Sequence, residues 1–339
     1  MNRIGIEKKE MDTPALLIDL DIMERNISTM ASFFRGKKAR LMIHSKVHRV
    51  PWIAHRQIES GAKGICCQKV RQAEIMAAAG IRYITLTNQV VTPSKIERLV
   101  NAAKYTDVSV SVDNTKNADD LSRTAMKEGV ALGVFVDVHV GAQRFGVEPG
   151  EPALKLAKYI KSLKGLRLKG VLGNIGHISW IEPRDKRRRE CERLIGLLVD
   201  TKSLMERSGI SVQEISTGST GTYDACASNA EVTEVRAGSY VLMDAGYYEH
   251  VPEFDCALTV LSTVISKQPE GIVVADAGMM SVSSAYGKPK VLGTNSLEVH
   301  ELHAENTLLK LREPTQIEIG DKIEFIPSYL DATVCRQPG

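Results

Sequence analysis

The strongest constraint on the fold is a repeated alternation of short apolar runs with stretches of helical period. Strands that alternate with helices form βαβ units around a parallel sheet. Eight such runs before residue 217 predict a TIM (β/α)8 barrel. A doubly wound open sheet is the alternative, because periodicity does not distinguish a closed sheet from an open one. The predicted strands are 15–18, 39–43, 64–67, 83–87, 108–112, 131–138, 168–172 and 212–216.

The character of the chain changes after about residue 244. Five further runs of strand length follow with no long helical pattern between them, and glycine and proline residues supply turns. This pattern predicts a C-terminal antiparallel β domain. We therefore expect the barrel at 13–250 and the β domain at 251–339, together with residues 1–12.

Composition excludes several classes of partner. A net charge of +3 is small for 339 residues, so neither a nucleic-acid nor a membrane-surface partner is expected. No segment approaches the roughly 18 apolar residues of a membrane span. The first twelve residues are polar and contain no signal-peptide core. The six cysteines lack metal-ligand spacing, so free thiols in a reducing cytoplasm are the simplest interpretation.

Lys46 follows the mostly apolar run at 39–43. A lysine in an apolar place costs several kcal/mol unless it is neutralised, paired or used covalently. A neutral lysine amine is a nucleophile toward aldehydes, so a Schiff base to pyridoxal phosphate is one natural interpretation. On this string alone, a strand-end lysine that points into water is the alternative.

Two downstream strings add to the evidence from Lys46. Residues 216–223 combine two glycines with six hydroxyl-bearing side chains after the eighth predicted strand, where barrels often bind phosphate. Arg144 lies in a glycine-flanked turn after the sixth strand, and its charge would suit an oxyanion such as the phenolate of a pyridoxal ring. An ordinary loop and a surface arginine are the alternatives for the two strings.

Taken in order, these strings resemble the D-threonine aldolase/D-serine dehydratase family, the alanine-racemase-like class of pyridoxal-phosphate enzymes. The resemblance runs nearly from end to end. The strings that carry it are 12–20, the His44-x-Lys46-x-His48-Arg49 motif, 64–70, 88–91, 111–114, the Arg144 loop, 218–223, 233–240 and 276–278.

The resemblance implies Lys46 as the Schiff-base lysine and Arg144 near the phenolic oxygen of the cofactor. It implies a small-molecule amino-acid substrate, a homodimer, and a lyase that cleaves 3-hydroxy D-amino acids in the manner of D-threonine aldolase. The remaining residues expected to bind pyridoxal 5'-phosphate are His44, Gln68, Asn174, Gly218, Ser219, Thr220, Gly221, Thr222 and Tyr240.

The chain departs from the family pattern at two positions of the expected site. Many members bind a divalent metal (Mn, Mg or Zn) through His-x-Asp or His-x-Cys, but here Tyr329 holds the histidine position beside Asp331. The expected metal site is therefore incomplete. Tyr329 either serves as a second base, as a tyrosine does in alanine racemases, or simply packs. His177 follows Gly176, whereas the family histidine precedes that glycine; it either replaces the catalytic base or fills the pocket wall.

These departures keep other activities open. A racemase or epimerase, a D-3-hydroxy-amino-acid dehydratase and a non-catalytic pyridoxal-phosphate carrier are the alternatives. The predicted β domain favours an enzyme, because single-barrel carriers lack one. The resemblance also implies strand beyond residue 339, so we expect a partner chain over that sheet edge, a trimmed domain or an incomplete sequence.

Overall fold

The computed structural model of the protein describes residues 4–314 and 316–336. Fifteen strands and ten α-helices are formed in this part of the chain. In chain order they are β1 (Ala15–Ile18), α1 (Leu20–Phe34), β2 (Arg40–His44), α2 (Pro51–Glu59), β3 (Gly64–Cys67), α3 (Val70–Ala78), β4 (Tyr83–Leu86), α4 (Pro93–Ala102), β5 (Asp107–Val112), α5 (Thr115–Lys127), β6 (Leu132–Asp137), α6 (Glu151–Ser162), β7 (Leu166–Leu172), α7 (Arg184–Arg207), β8 (Glu214–Thr217), α8 (Tyr223–Ser228), β9 (Glu234–Ala237), α9 (Ala245–Tyr248), β10 (Leu258–Gln268), β11 (Ile272–Ala275), β12 (Lys290–Val291), β13 (Leu297–Leu302), β14 (Thr307–Leu311), β15 (Lys322–Ile326) and α10 (Leu330–Arg336).

Strands β2 to β9 form a closed parallel barrel, which confirms the predicted (β/α)8 fold over the open-sheet alternative. Each strand pairs with the next, and β9 closes the barrel by pairing with β2 at Leu41↔Val235. Strands β3 and β6 are buried along their whole length. Near-continuous apolar runs of this kind are typical of parallel strands that are covered on both faces.

The barrel begins and ends with strands other than those that the sequence predicted, although the predicted strand at 212–216 lies within it as β8. The run at Ala15–Ile18 was expected to open the barrel, but it pairs antiparallel with β10. The last barrel strand is Glu234–Ala237, which was not predicted as a strand. Its apolar signal is weak because Glu234 and Arg236 alternate with Val235 and Ala237, and all four are buried. The hydroxyl-rich loop at 218–222 therefore follows the seventh strand of the barrel.

The remaining strands form a seven-stranded antiparallel sheet, which confirms the predicted β domain. Its order is β12-β15-β10-β11-β14-β13, with β1 added on β10. The core of this sheet is built from alternate strand residues such as Val260, Val273, Leu309 and Phe325. Such alternation is expected where one face of an antiparallel sheet packs against a core.

Contacts divide the described chain at different boundaries from those expected. One compact unit contains the described residues of Met1–Asn26 and Ser239–Gly339, and the other is Ile27–Gly238. Pairing of β1 with β10 accounts for the first boundary. Asn26 adds to it, because its side-chain amide donates to the carbonyl oxygens of Val241 and Asp255. Residues 1–3, 315 and 337–339 of the predicted β domain lie outside the described residues.

Two further expectations concern the chain as a whole. All six cysteines are free thiols, as their spacing predicted. No helix within 4–314 and 316–336 is both long enough and apolar enough to cross a membrane.

Candidate active site

Lys46 lies at the C-terminal end of strand β2, where barrel enzymes carry their chemistry. The strand ends at His44, and a single 3-10 turn, Ser45–Val47, presents the lysine. This turn is fixed to the neighbouring strand because Ser45 Oγ donates to the carbonyl oxygen of Cys66 at 3.0 Å. A Cβ on Gly238 would lie only 2.8 Å from the carbonyl oxygen of His44, so only glycine fits where the chain leaves β9.

The imidazole of His44 is held neutral. Burial lowers its pKa well below the usual value, and the positive charges of Lys46, Arg236 and Arg144 lower it further. Its Nδ1 atom is buried and has no hydrogen-bond partner among the described residues. A neutral ring beside Lys46 adds no positive charge at the mouth of the barrel, and it can pack against an aromatic ligand.

Residues 218–222 form a loop lined with hydroxyl groups after β8. Ser219 Oγ lies 2.8 Å from Ser179 Oγ and 3.0 Å from Thr222 Oγ1. Gly218 has a φ of +103°, which an L side chain rarely adopts. Hydroxyl groups can rotate to donate to an anion, and glycine allows the backbone to approach it closely. This loop fits a phosphate group.

Gly221 gives the first testable prediction. A Cβ at this position would lie 2.6 Å from the Cβ of Ser179 and 2.9 Å from its Cα, so backbone would have to move. Overpacking of this kind costs roughly 1–3 kcal/mol, and here the strain falls on the hydroxyl cluster. We expect Gly221→Ala to weaken binding of pyridoxal phosphate at least about tenfold, measured by absorbance titration. Gly196→Ala is the matched control, since Gly196 lies in α7 with no atom within 4 Å of its Cβ position; equal affinities of the two variants would contradict the prediction.

Three other predicted residues lie at strand ends of the same barrel. Gln68 follows β3, and its backbone amide donates to Gln72 Oε1 at 3.2 Å. Asn174 follows β7, and its Oδ1 accepts the amide hydrogen of Gly176 at 3.1 Å. Arg144 lies in the exposed loop after β6, with its guanidinium 4.4 Å from the ring centre of Phe145. The roles of these side chains toward a cofactor stay predictions.

His177 lies in the short turn after β7, beside the loop that carries Arg144. Its Nε2 is 3.2 Å from the position that a Cβ on Gly141 would occupy. Burial lowers the pKa of His177, while the carboxylate of Glu190 acts in the opposite direction. A histidine in this state can accept a proton at neutral pH, so its expected role as a base stays a prediction.

The sequence did not single out two buried charges at this end of the barrel. Arg236 Nη2 donates to the carbonyl oxygens of Gly173 and Ser216, both at 2.9 Å, and burial lowers the pKa of its guanidinium. Burial raises the pKa of Asp137 to about 7, although Gln89 Nε2 donates to its Oδ2 at 3.1 Å. The sequence feature that could have identified both residues is a charged side chain at the end of an otherwise apolar strand. Asp137 can hold or release a proton near neutral pH.

The expected metal ligands lie in the compact unit that contains the antiparallel sheet. Tyr329 Oη donates to Asp331 Oδ2 at 2.6 Å. Burial, followed by the charge of Asp331, raises the pKa of Tyr329, so its oxygen carries a hydrogen and is a poor metal ligand. Among residues 4–314 and 316–336, no three or more His, Cys, Asp or Glu side chains are grouped to hold a metal. The residues present do not fit a divalent metal at Asp331.

Tyr329 and Tyr240 both pack against other aromatic rings of this unit. The ring of Tyr286 stands edge-on to Tyr329 with centroids 4.7 Å apart. Tyr240 is buried, and its ring centre is 5.6 Å from that of Phe254. The predicted roles of Tyr329 as a second base and of Tyr240 in cofactor binding are not tested by these contacts.

Comparison with known proteins decides the family. The family model described as alanine racemase, N-terminal domain matches residues 18–245. The chain belongs to this family. A second model, described as putative serine dehydratase domain, matches residues 257–338. The resemblance inferred from the sequence motifs is confirmed.

Aldolases are among the relatives similar over nearly the whole chain, and so is a D-threo-3-hydroxyaspartate dehydratase. The chain is 33% identical to a D-threonine aldolase of Arthrobacter sp. over 95% of its own length and 86% of the relative's. It is 31% identical to a 3-hydroxy-D-aspartate aldolase of Paracoccus denitrificans, over 97% and 88% of the two chains. The crystal structure of D-threonine aldolase from Filomicrobium marinum superposes with a TM-score of 0.95, at 33% identity, over 99% of this chain and 92% of that one.

The alanine racemase-like family implies pyridoxal phosphate as the cofactor. The barrel residues fit this group in three respects. A lysine stands at the end of β2, a hydroxyl-lined loop follows β8, and the buried Nδ1 of His44 has no partner among the described residues.

Proposed function

We propose that this protein is a pyridoxal-phosphate-dependent aldolase. It would cleave the Cα–Cβ bond of 3-hydroxy D-amino acids and release glycine and an aldehyde. The observation that carries this proposal is the similarity of nearly the whole chain to aldolases of such substrates, at 31–33% identity. Lys46 and the hydroxyl-lined loop support it, because an enzyme of this kind needs an amine for the cofactor aldehyde and a site for its phosphate.

In this proposal the cofactor is bound by barrel residues. Lys46 holds the aldehyde end, and residues 218–222 hold the phosphate. When bound, pyridoxal phosphate supplies an electron sink that makes bonds to the substrate α carbon easier to break. Arg144 contributes a positive charge at the loop after β6, and His44 remains neutral beside the lysine.

The protein's own groups would then handle protons. Lys46 Nζ can return a proton to the α carbon after the bond to the β carbon is broken. Asp137, with a pKa of about 7, can hold a proton within the barrel end at neutral pH. A base must also remove the proton of the 3-hydroxyl group, and we propose His177 for this step. No step is assigned to a metal, since Tyr329 replaces the histidine ligand of the family and its hydroxyl donates a hydrogen bond to Asp331 Oδ2.

Dehydration is the second candidate function. It is favoured by the match of residues 257–338 to a putative serine dehydratase domain. In that reaction the 3-hydroxyl group leaves and the product hydrolyses to a keto acid and ammonia. The two reactions share the same substrate class and cofactor, and they differ in which bond to the β carbon breaks.

One incubation distinguishes these activities. The purified protein with pyridoxal phosphate is given D-threonine and D-3-hydroxyaspartate in deuterated water. We expect glycine and an aldehyde in equal amounts, with L-threonine as the control for stereochemistry. A keto acid with ammonia would identify a dehydratase, and exchange of the α proton without cleavage would identify a racemase. Absence of all three changes would refute a catalytic function on these substrates.

Two further properties belong to this proposal. We infer a homodimer, because the family resemblance implies one. We also infer a cytoplasmic location, which free thiols at all six cysteines support.

A further inference from the structure

The loop that carries Arg144 is closed at its base by backbone hydrogen bonds. The backbone amide of His139 donates to the carbonyl oxygen of Val147 at 2.7 Å. The backbone amide of Val147 donates to the carbonyl oxygen of Asp137 at 2.9 Å. Residues 139–146 therefore leave β6 and return to the same point. Arg144 lies close to the far end of this closed loop, so its position depends on what holds that end.

Two side chains accept hydrogen bonds from backbone amides on either side of Arg144. His139 Nε2 accepts the amide hydrogen of Gln143 at 3.2 Å. Asp113 Oδ2, from the end of the neighbouring strand β5, accepts the amide hydrogen of Gly146 at 3.2 Å. Asn114 Nδ2 donates to Asp113 Oδ1 at 2.8 Å, which orients the carboxylate toward the loop. Arg144 is thus bracketed by two amides that are bound to side chains at the barrel end.

The hydrogen-bonding state of His139 follows from the geometry. Because Nε2 accepts a hydrogen bond, the hydrogen of neutral His139 lies on Nδ1. That nitrogen is 3.5 Å from Glu148 Oε1, and a carboxylate favours this tautomer. Glu148, His139 and the Gln143 amide therefore form one chain of interactions.

The loop also adopts a backbone conformation that needs support. Gln143 has a φ of +48°, a left-handed conformation that is strained for a non-glycine residue. Gly146 has a φ of +109°, and a Cβ there would lie 2.7 Å from the backbone nitrogen of His139. Hydrogen bonds to the Gln143 and Gly146 amides offset this strain. Without them nothing at these two amides would offset the strain at Gln143.

We propose that Asp113 and His139 are positioning residues that hold Arg144 in place for cofactor binding. This inference rests on the proposed function, because it assumes that Arg144 faces the pyridoxal ring. Asp113 and His139 need not touch the cofactor themselves. Their effect passes through the loop backbone to Arg144.

The test combines hydrogen exchange with a double-mutant cycle in the full-length protein. We expect Asp113→Ala and His139→Ala to speed amide exchange in the peptide covering 139–147 by at least about tenfold. Each should also weaken binding of pyridoxal phosphate by no more than Arg144→Ala does. In the Arg144→Ala background, Asp113→Ala should cause no further loss of affinity, because residues that act through one group are not additive.

Conservative variants separate positioning from a general role in folding. Asp113→Asn and His139→Gln keep an oxygen acceptor for the same amides, and we expect them to recover loop protection and most of the affinity. Unchanged loop exchange in both alanine variants would overturn the proposal. So would faster exchange with unchanged cofactor affinity, or a further loss from Asp113→Ala in the Arg144→Ala background. If the wild-type protein binds no pyridoxal phosphate, the proposed function fails and the positioning role fails with it, whereas loop exchange still reports on the two hydrogen bonds.

Discussion

Replacing Lys46 with alanine is expected to remove covalent attachment of pyridoxal phosphate and to lower turnover by on the order of 10³-fold or more. The short turn Ser45–Val47 presents this lysine at the end of β2, beside the neutral ring of His44. Lys46 would serve both as the attachment point and as a proton carrier for the substrate. Lys46 combines this strand-end position with the His44-x-Lys46-x-His48 motif of the family. Removal of the amine should therefore abolish both roles together.

The measurement is mass spectrometry of protein treated with borohydride in the presence of pyridoxal phosphate. The wild-type protein should carry a single pyridoxyl group on the peptide that contains Lys46, and Lys46→Ala should carry none. Lys95→Ala is the control, since Lys95 is exposed on α4 far along the sequence from this motif. Melting temperatures of both variants should match that of the wild type. A pyridoxyl group on a different lysine, or full turnover by Lys46→Ala, would refute the assignment.

The alternation of strands and helices was sufficient to predict the barrel, but not which strands close it. Ala15–Ile18 has the apolar character of a barrel strand and precedes a helix, yet it pairs with β10 far along the chain. Local periodicity carries no information on pairing partners. Glu234–Ala237 shows the converse case. Its charged residues are buried because partners from distant strands reach them, among them Lys63 and the carbonyl oxygen of Gly173.

The same distinction applies to the candidate site. Lys46 and the loop at 218–222 were found from sequence because their chemistry is local to one short string. Asp137 was not, because its raised pKa comes from burial and from groups on other strands. The hydrogen bond between Tyr329 and Asp331 was predicted only in part. The sequence showed that a metal ligand was missing, and the structure shows that the tyrosine hydroxyl donates a hydrogen bond to Asp331 Oδ2.

The opposite end of the barrel contains a buried cluster of charges whose balance depends on Lys63. Its Nζ lies 3.0 Å from Glu214 Oε2 and 2.5 Å from Glu234 Oε1. Glu234 has only 3% of its side chain exposed. Burial and the neighbouring Glu234 raise the pKa of Glu214 to about 7, although Lys63 opposes this shift. The single positive charge of Lys63 thus pairs with two carboxylates that are largely shielded from solvent.

Lys63→Met is expected to destabilise the protein by about 3–5 kcal/mol at pH 8, because it leaves both carboxylates buried without a cation. Without Lys63 the pKa of Glu214 rises further and the pKa of Glu234 rises from its lowered value, so the folded state keeps protons that the unfolded chain releases above about pH 4.3. A state that binds more protons when folded loses stability as pH rises. The deficit relative to the wild type should therefore be largest at pH 8 and much smaller at pH 5, measured as the midpoint of urea denaturation.

Lys169→Met is the matched control for this prediction. Lys169 is buried and lies 3.1 Å from Asp107 Oδ2, but Arg167 Nη2 lies 3.0 Å from the other oxygen of that carboxylate. Asp107 therefore keeps a cation when Lys169 is replaced, and a loss of about 1 kcal/mol or less is expected, with little dependence on pH.

Adding Glu214→Gln to Lys63→Met should recover part of the stability at pH 8, since it removes one of the two unpaired charges. Equal losses for Lys63→Met and Lys169→Met at pH 8, or a Lys63→Met deficit that is the same at pH 5 and pH 8, would show that the cluster does not depend on the lysine charge.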